Sequence, residues 1–147
     1  MLGNVLYEAK IKFTDVIGYG IKLADVLTKG PPPEGGRFDV YQVGEFKGKL
    51  AGTGKGVTYA LIRPDNALVI EERWSVETSD GDRVSIESSG FGLPAKVPGV
   101  LAGKMAVRFH SSAPRYSWLN TTIGVAEEKG DITKGAAEAK VYEWGSE

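Results

Sequence analysis

Residues Ala67–Ser89 constrain this chain more than any other stretch. Leu68, Ile70, Trp74 and Val76 recur at period two with Glu72 and Thr78 on the same side, while Glu71, Arg73, Ser75 and Glu77 fall on the other. Strict alternation marks a strand with one buried face. Ser79-Asp80-Gly81 then suits a three-residue hairpin loop, with Gly81 free to take the left-handed conformation. That register sets Thr78 opposite Asp82, Val76 opposite Val84 and Trp74 opposite Ile86. It also sets Glu77 opposite Arg83 and Arg73 opposite Glu87. Apolar pairs and opposite-charge pairs agree on one alignment, and such pairs stabilise a sheet.

The rest of the chain reads the same way. Strands are expected over Leu2–Phe13, Arg37–Val43, Val57–Arg63, Lys104–His110, Arg115–Val125 and Ala136–Trp144. Pro64-Asp65-Asn66 is a turn, with Ile62 opposite Leu68, Ala60 opposite Ile70 and Tyr59 opposite Glu71. Gly18–Leu27 reads as a loop or a short strand continuing the first. Thr28–Gly36, with its run of prolines, is a surface connection. Gly44–Gly56 is glycine-dense and is expected to hold a short strand around Phe46–Ala51, bent or bulged at its glycines. Phe91–Gly103 reads as irregular, with room for a helical turn, and Glu127–Lys134 as a charged loop. The fold class is therefore all-β. It is one antiparallel, closed or nearly closed barrel of eight or nine strands filling a single domain over residues 1–147.

Composition narrows the function classes. The net charge of −1 offers no basic footprint for nucleic acid. No apolar run approaches the ~20 residues that span a bilayer, and Met1–Tyr7 lacks the features of a secretory signal. With no cysteine in the chain, disulfide and thiol chemistry are excluded, which fits a cytoplasmic location. A zinc site needs several His or Cys ligands and His110 is the only histidine, so no metal and no cofactor is expected. Gly52-Thr53-Gly54-Lys55-Gly56 lacks the spacing of a phosphate-binding loop, and no nucleophile elbow appears.

The candidate site residues form two groups. Glu71 and Arg73 lie two apart on one strand face, ~6.5–7 Å between Cα atoms, with Tyr59 beside Glu71 and Glu87 beside Arg73. In a barrel interior they would orient a polar group of a ligand, and Glu71, Tyr59 or His110 would be the candidates for acid–base work. On an outer face they would be solvated charge pairs. Tyr116, Trp118 and Asn120 on one face of a strand would make a stacking wall with an amide handle, with Arg115 at its start to hold a carboxylate. The alternative there is core or interface packing. Glu72 is the odd residue, a carboxylate on an apolar face. It is read as lying at a barrel rim, or beside a bulge that inverts the pattern.

These residues also resemble a family. Gly35-Gly36-Arg37, Gly44-Glu45-Phe46-x-Gly48, Leu61-Ile62-Arg63-Pro64-Asp65, Glu71-x-Arg73-Trp74, Thr78-Ser79-Asp80-Gly81, Ala113 to Asn120 (APRYSWLN) and Val141-Tyr142-Glu143 occur in an order similar to the domain of unknown function 3237 family. The resemblance implies a lipocalin-like antiparallel β-barrel, often a homodimer, with no agreed biochemical role. The chain departs from the family at Lys55-Gly56-Val57-Thr58-Tyr59, where the family tends to carry Gly-Gly-x-Asp-Trp. Thr58 stands for the acid and Tyr59 for the indole.

Three functions stand open on this reading. The first is a barrel binding a hydrophobic or aromatic small molecule through a polar anchor. The second is a metal-independent lyase, isomerase or cyclase using acid–base chemistry in the same cavity. The third is a filled barrel acting as a structural or interaction protein.

Overall fold

The computed structural model describes residues 2–145. Eight strands form one closed barrel in sequence order: β1 Leu2–Gly18, β2 Gly36–Gly48, β3 Gly52–Ile62, β4 Leu68–Thr78, β5 Arg83–Pro94, β6 Val100–His110, β7 Ile123–Asp131 and β8 Ala136–Trp144. Every neighbouring pair is antiparallel, and β8 closes on β1. Closure leaves no open sheet edge. The β3–β4–β5 meander has the register that its side chains dictate. Ile62 pairs with Leu68, Tyr59 with Glu71, Trp74 with Ile86, Val76 with Val84 and Arg73 with Glu87. Both turns carry the left-handed residue expected of them, Asn66 at φ 71° and Gly81 at φ 87°.

Several segments differ from the expectation. Leu23–Lys29 is a short helix, α1, rather than a continuation of the first strand. It ends at Gly30, whose N–H returns to the Val26 carbonyl. Phe46–Ala51 is not a separate strand. β2 runs on to Gly48, and a turn then tucks the fully buried Leu50 into the barrel end. The register of β2 on β3 is continuous, so the glycines there make no bulge. They make room instead: a Cβ on Gly56 would lie 2.5 Å from the Trp74 ring, and one on Gly54 2.8 Å from Phe46. Phe91–Gly103 is the regular end of a hairpin, since Pro94 still pairs with Leu101. Glu127–Asp131 belongs to β7, not to a charged loop. Pro114–Thr121 is a 3-10 helix rather than a strand.

The lumen has two halves. Near the β4–β5 turn it is packed solid by Leu6, Tyr7, Phe46, Trp74, Val84, Ile86 and Phe109, all buried. The 3-10 helix lies at this end and adds Tyr116 and Leu119 to the core. Towards α1 the wall is lined by Gly92, Gly103, Gly130, Ala60 and Ala137, residues too small to fill it, and a cavity of about 80 Å³ remains.

Candidate functional site

The site follows from the alternation of β4. Leu68, Ile70, Glu72, Trp74, Val76 and Thr78 all point inward and all are buried. No register shift interrupts the pairing of β4 with β3 or β5, so Glu72 is neither beside a bulge nor at a rim. It stands at mid-barrel, 3% exposed. Glu128 reaches the same place from β7 by the inward row Gly124, Ala126, Glu128 and Gly130, and lines both the cavity and the small gap beneath it. Glu128 itself is half-buried.

Burial, the charge of Glu72 and a hydrogen bond to Glu72 push the Glu128 carboxyl well above the usual carboxylate range. Both carboxyls line the same small gap, so ionising Glu128 beside Glu72 is disfavoured. Trp74 Nε1 donates to Glu72 Oε1 at 3.2 Å. Glu72 Oε2 is buried, and no backbone or side-chain N–H reaches it. Tyr7 faces the same pair, and burial keeps its phenol protonated far above its ordinary range. Gln42 Nε2 donates to Thr58 Oγ1 at 2.7 Å, and Thr58 and Ser88 flank Glu72 in register. A polar belt thus floors the cavity, with apolar walls above it formed by Phe38, Ile62, Leu68, Ile70 and Leu101. Leu23 of α1 and Ile132 of the β7–β8 turn stand at its mouth.

The residues singled out from sequence lie elsewhere. Tyr59, Glu71, Arg73 and Glu87 are together as the register demands, but on the outer wall. They do not line the lumen, because the inward face belongs to the apolar residues of the same strands. Glu87 bridges Arg73 at 3.0 Å and Arg108 at 3.3 Å, with the arginine side chains 70% and 77% exposed. Tyr59 stacks under Arg37, 5.4 Å from ring centroid to guanidinium. His110 is exposed on the outer wall of β6. The stacking wall does not form, because its residues are helical. Tyr116 is turned into the core and its hydroxyl donates to Asp80 at 2.8 Å. Trp118 is 39% exposed. The Asn120 amide clamps the backbone of Ser111, accepting from its N–H at 2.7 Å and donating to its carbonyl at 2.8 Å. Arg115 pairs with Asp80 at 3.2 Å and lies 3.0 Å from Asp82, the latter an ionic contact without hydrogen-bond alignment. This segment ties the 3-10 helix to the β4–β5 turn and the end of β6.

Sequence reasoning missed Glu128. Ile123 and Val125 lie on the outward side of β7 and glycine, alanine and glutamate on the inward side, so hydrophobicity points the wrong way there. The available signal was the period-two row of small residues, Gly124, Ala126 and Gly130. A hollow of about 630 Å³ is an open furrow on the outer wall among Lys10, Lys12, Glu45, Lys55 and Glu77. Its mixed, solvated charges give it no defined chemistry. Among the described residues no cluster of three His, Cys, Asp or Glu could hold a metal, and no helix is long and apolar enough to cross a membrane.

The model of the family described as "Protein of unknown function (DUF3237)" matches residues 20–144, and the chain belongs to that family. Solved structures share the fold. A protein of unknown function from Clostridium acetobutylicum ATCC 824 matches with a TM-score of 0.77 and 18% identity, over 95% of this chain and 96% of the other. A beta-barrel like protein from Acinetobacter baumannii AYE matches with a TM-score of 0.77 and 21% identity, over 97% and 94%. An enzyme from Penicillium herquei matches with a TM-score of 0.64 and 18% identity, over 95% and 92%. At these identities the likeness is one of fold. No curated protein matches the sequence.

Proposed function

We propose that this member of a family without an assigned role is a small-molecule-binding barrel, with the Glu72–Glu128 pair as its polar anchor. The observation that carries this reading is an unfilled apolar cavity lined by the half-buried Glu128, with the buried Glu72 and its unpartnered oxygen in the small gap beneath it. Polar groups are kept inside apolar sites at a cost, and convergent ones on a cavity floor are the usual mark of a ligand site. The cavity of about 80 Å³ suits a small ligand. α1 buries none of its residues fully and holds the mouth only through the partly buried Leu23 and Val26, so a larger ligand would displace little packing.

A second reading is acid–base catalysis at the same pair. The observation favouring it is that two carboxyls line one gap and that burial and Glu72 push the Glu128 carboxyl well above the usual carboxylate range, which suits a general acid. A fold neighbour described as an enzyme is consistent with it. Two further expectations belong to this proposal. A cytoplasmic location fits the absence of cysteine. A homodimer would use the outward row Leu61, Val69 and Phe91, which run in register across β3, β4 and β5 with Leu61 42% and Phe91 57% exposed.

The test is a thermal-shift screen of small apolar molecules that carry one polar group. A ligand at ~100 times its dissociation constant stabilises the fold by about 2.7 kcal/mol. Gly130→Val narrows the cavity, and the nearest atom to its added Cβ is Ala137 Cβ at 3.9 Å. Compounds that raise the melting temperature of the wild type and of Arg73→Ala, but not of Gly130→Val, support the reading. No shift across a broad panel, or an equal shift in Gly130→Val, contradicts it.

A further inference from the structure

The cavity is electrostatically one-sided. Of all the residues lining it and the gap beneath it, Glu72, Glu128 and Tyr7 are the only ones that titrate; no lysine, arginine or histidine is among them. An acidic pair inside a protein is ordinarily answered by a cation, because an unpaired buried charge is costly. Here the outer-wall arginines spend their charge on Glu87, Asp39, Asp65 and Asp80, all outside the lumen. Glu72 Oε1 has a donor in Trp74, whereas Oε2 is buried and receives no hydrogen bond, in a gap that Glu128 also lines.

We propose that the Glu72–Glu128 pair selects an organic cation, a protonated amine on a small apolar or aromatic body, with the ammonium seated against Glu72 Oε2 and the body in the apolar half of the cavity. This deepens the binding reading and rests on it. An ammonium brings the positive charge and N–H donors that the floor lacks, and its hydrocarbon body meets Ile70, Leu68 and Phe38. A carboxylate ligand is rejected on the same ground, since it would bring a like charge to a site with no cation to receive it. An alcohol of the same shape is accepted but gains no charge pairing.

The test compares matched ligands by calorimetry at pH 7: benzylamine, benzyl alcohol and benzoate, and n-butylamine, 1-butanol and butyrate. The proposal expects each amine to bind at least about tenfold more tightly than its alcohol, a difference of about 1.4 kcal/mol, with no binding of the carboxylates. The preference persists in high salt, because a buried pair is little screened, whereas adsorption to outer-wall acids would fade. The Glu72→Gln, Glu128→Gln double variant keeps the shape of the floor and removes both charges. It should still bind the alcohols, which also reports that it is folded, and should lose the amine preference. Equal affinity of amine and alcohol, or a preference for the carboxylate, overturns the ligand class while the cavity remains a binding site. An amine preference that survives in the double variant, or that vanishes in salt, overturns its placement at the pair. Absence of binding by all six compounds overturns both this inference and the binding reading.

Discussion

Glu72 on β4 and Glu128 on β7, strands that are not neighbours in the barrel, line one small gap inside its lumen. Neither charge has a cationic partner in the residues around it. The barrel therefore stores an electrostatic cost at the floor of its cavity, held in place by Trp74 on one side and relieved by a proton on the other.

That cost has a sign with pH. The Glu128 carboxyl is raised in the native state above its unfolded value near 4.5. Above that pH the native protein still holds a proton that the unfolded chain has released, so unfolding releases a proton and stability falls as pH rises. The fall continues until the native group ionises, with a slope of at most about 1.4 kcal/mol per pH unit. Glu128→Gln has no proton to lose. It should be more stable than the wild type at pH 7, with the pH slope above 4.5 reduced. Denaturant melts of both proteins between pH 5 and 8 check this.

Trp74 lies against glycines of β2 and β3, and an added methyl at Gly56 would come within 2.5 Å of its ring. Gly56→Ala should overpack the lumen and cost about 1–3 kcal/mol. It should also shift the Trp74 indole N–H resonance, because the ring that donates to Glu72 has to move. Gly130→Val, whose Cβ meets nothing closer than Ala137 Cβ at 3.9 Å, should show neither effect.

The 3-10 helix is a structural closure. Tyr116→Phe deletes one hydrogen bond to Asp80 and should cost about 0.5–1.5 kcal/mol. Asn120→Ala leaves the N–H and carbonyl of Ser111 without their partners and should cost more, about 1–3 kcal/mol. Chemical denaturation measures both, and neither should alter ligand affinity at the opposite end of the barrel.

On the outer wall, Arg73→Ala removes one exposed contact to a glutamate that still has Arg108. Its effect on stability should fall within about 1 kcal/mol, and on ligand binding it should be nil. A large loss of binding in this variant would return the site to the outer wall.

What the sequence disclosed and what it hid divide along one physical line. Local pairing was legible. Trp74 against Ile86 and Arg73 against Glu87 were fixed by cross-strand chemistry and a turn of known length, and they stand in that register. Apolar residues marked one face of β4 and of β6, but whether that face or the Glu71–Arg73 face lined the interior stayed open until the barrel closed. The inward face was hidden on β7, where glycine and alanine face in and isoleucine and valine face out. Glu72 was visible as an anomaly, but its partner was not. A contact between strands far apart around a barrel depends on closure, which no local pattern encodes. The glycines of β2 and β3 were seen and misread, because the indole they accommodate comes from another strand. At Arg115–Asn120 a period of two concealed a period of three: Tyr116 and Leu119 are the buried pair, and Pro114 at the first position is the helical signal.

The central claim is that Glu128, beside Glu72 at the cavity floor, resists ionisation. The direct measurement is the carbon-13 NMR titration of the Glu72 and Glu128 side-chain carboxyls, assigned with the two single glutamine variants. The account predicts that the Glu128 carboxyl titrates well above the ordinary glutamate range, with burial and the neighbouring Glu72 as the cause. An ordinary glutamate titration of Glu128 would contradict it and would remove the anchor from the proposed site.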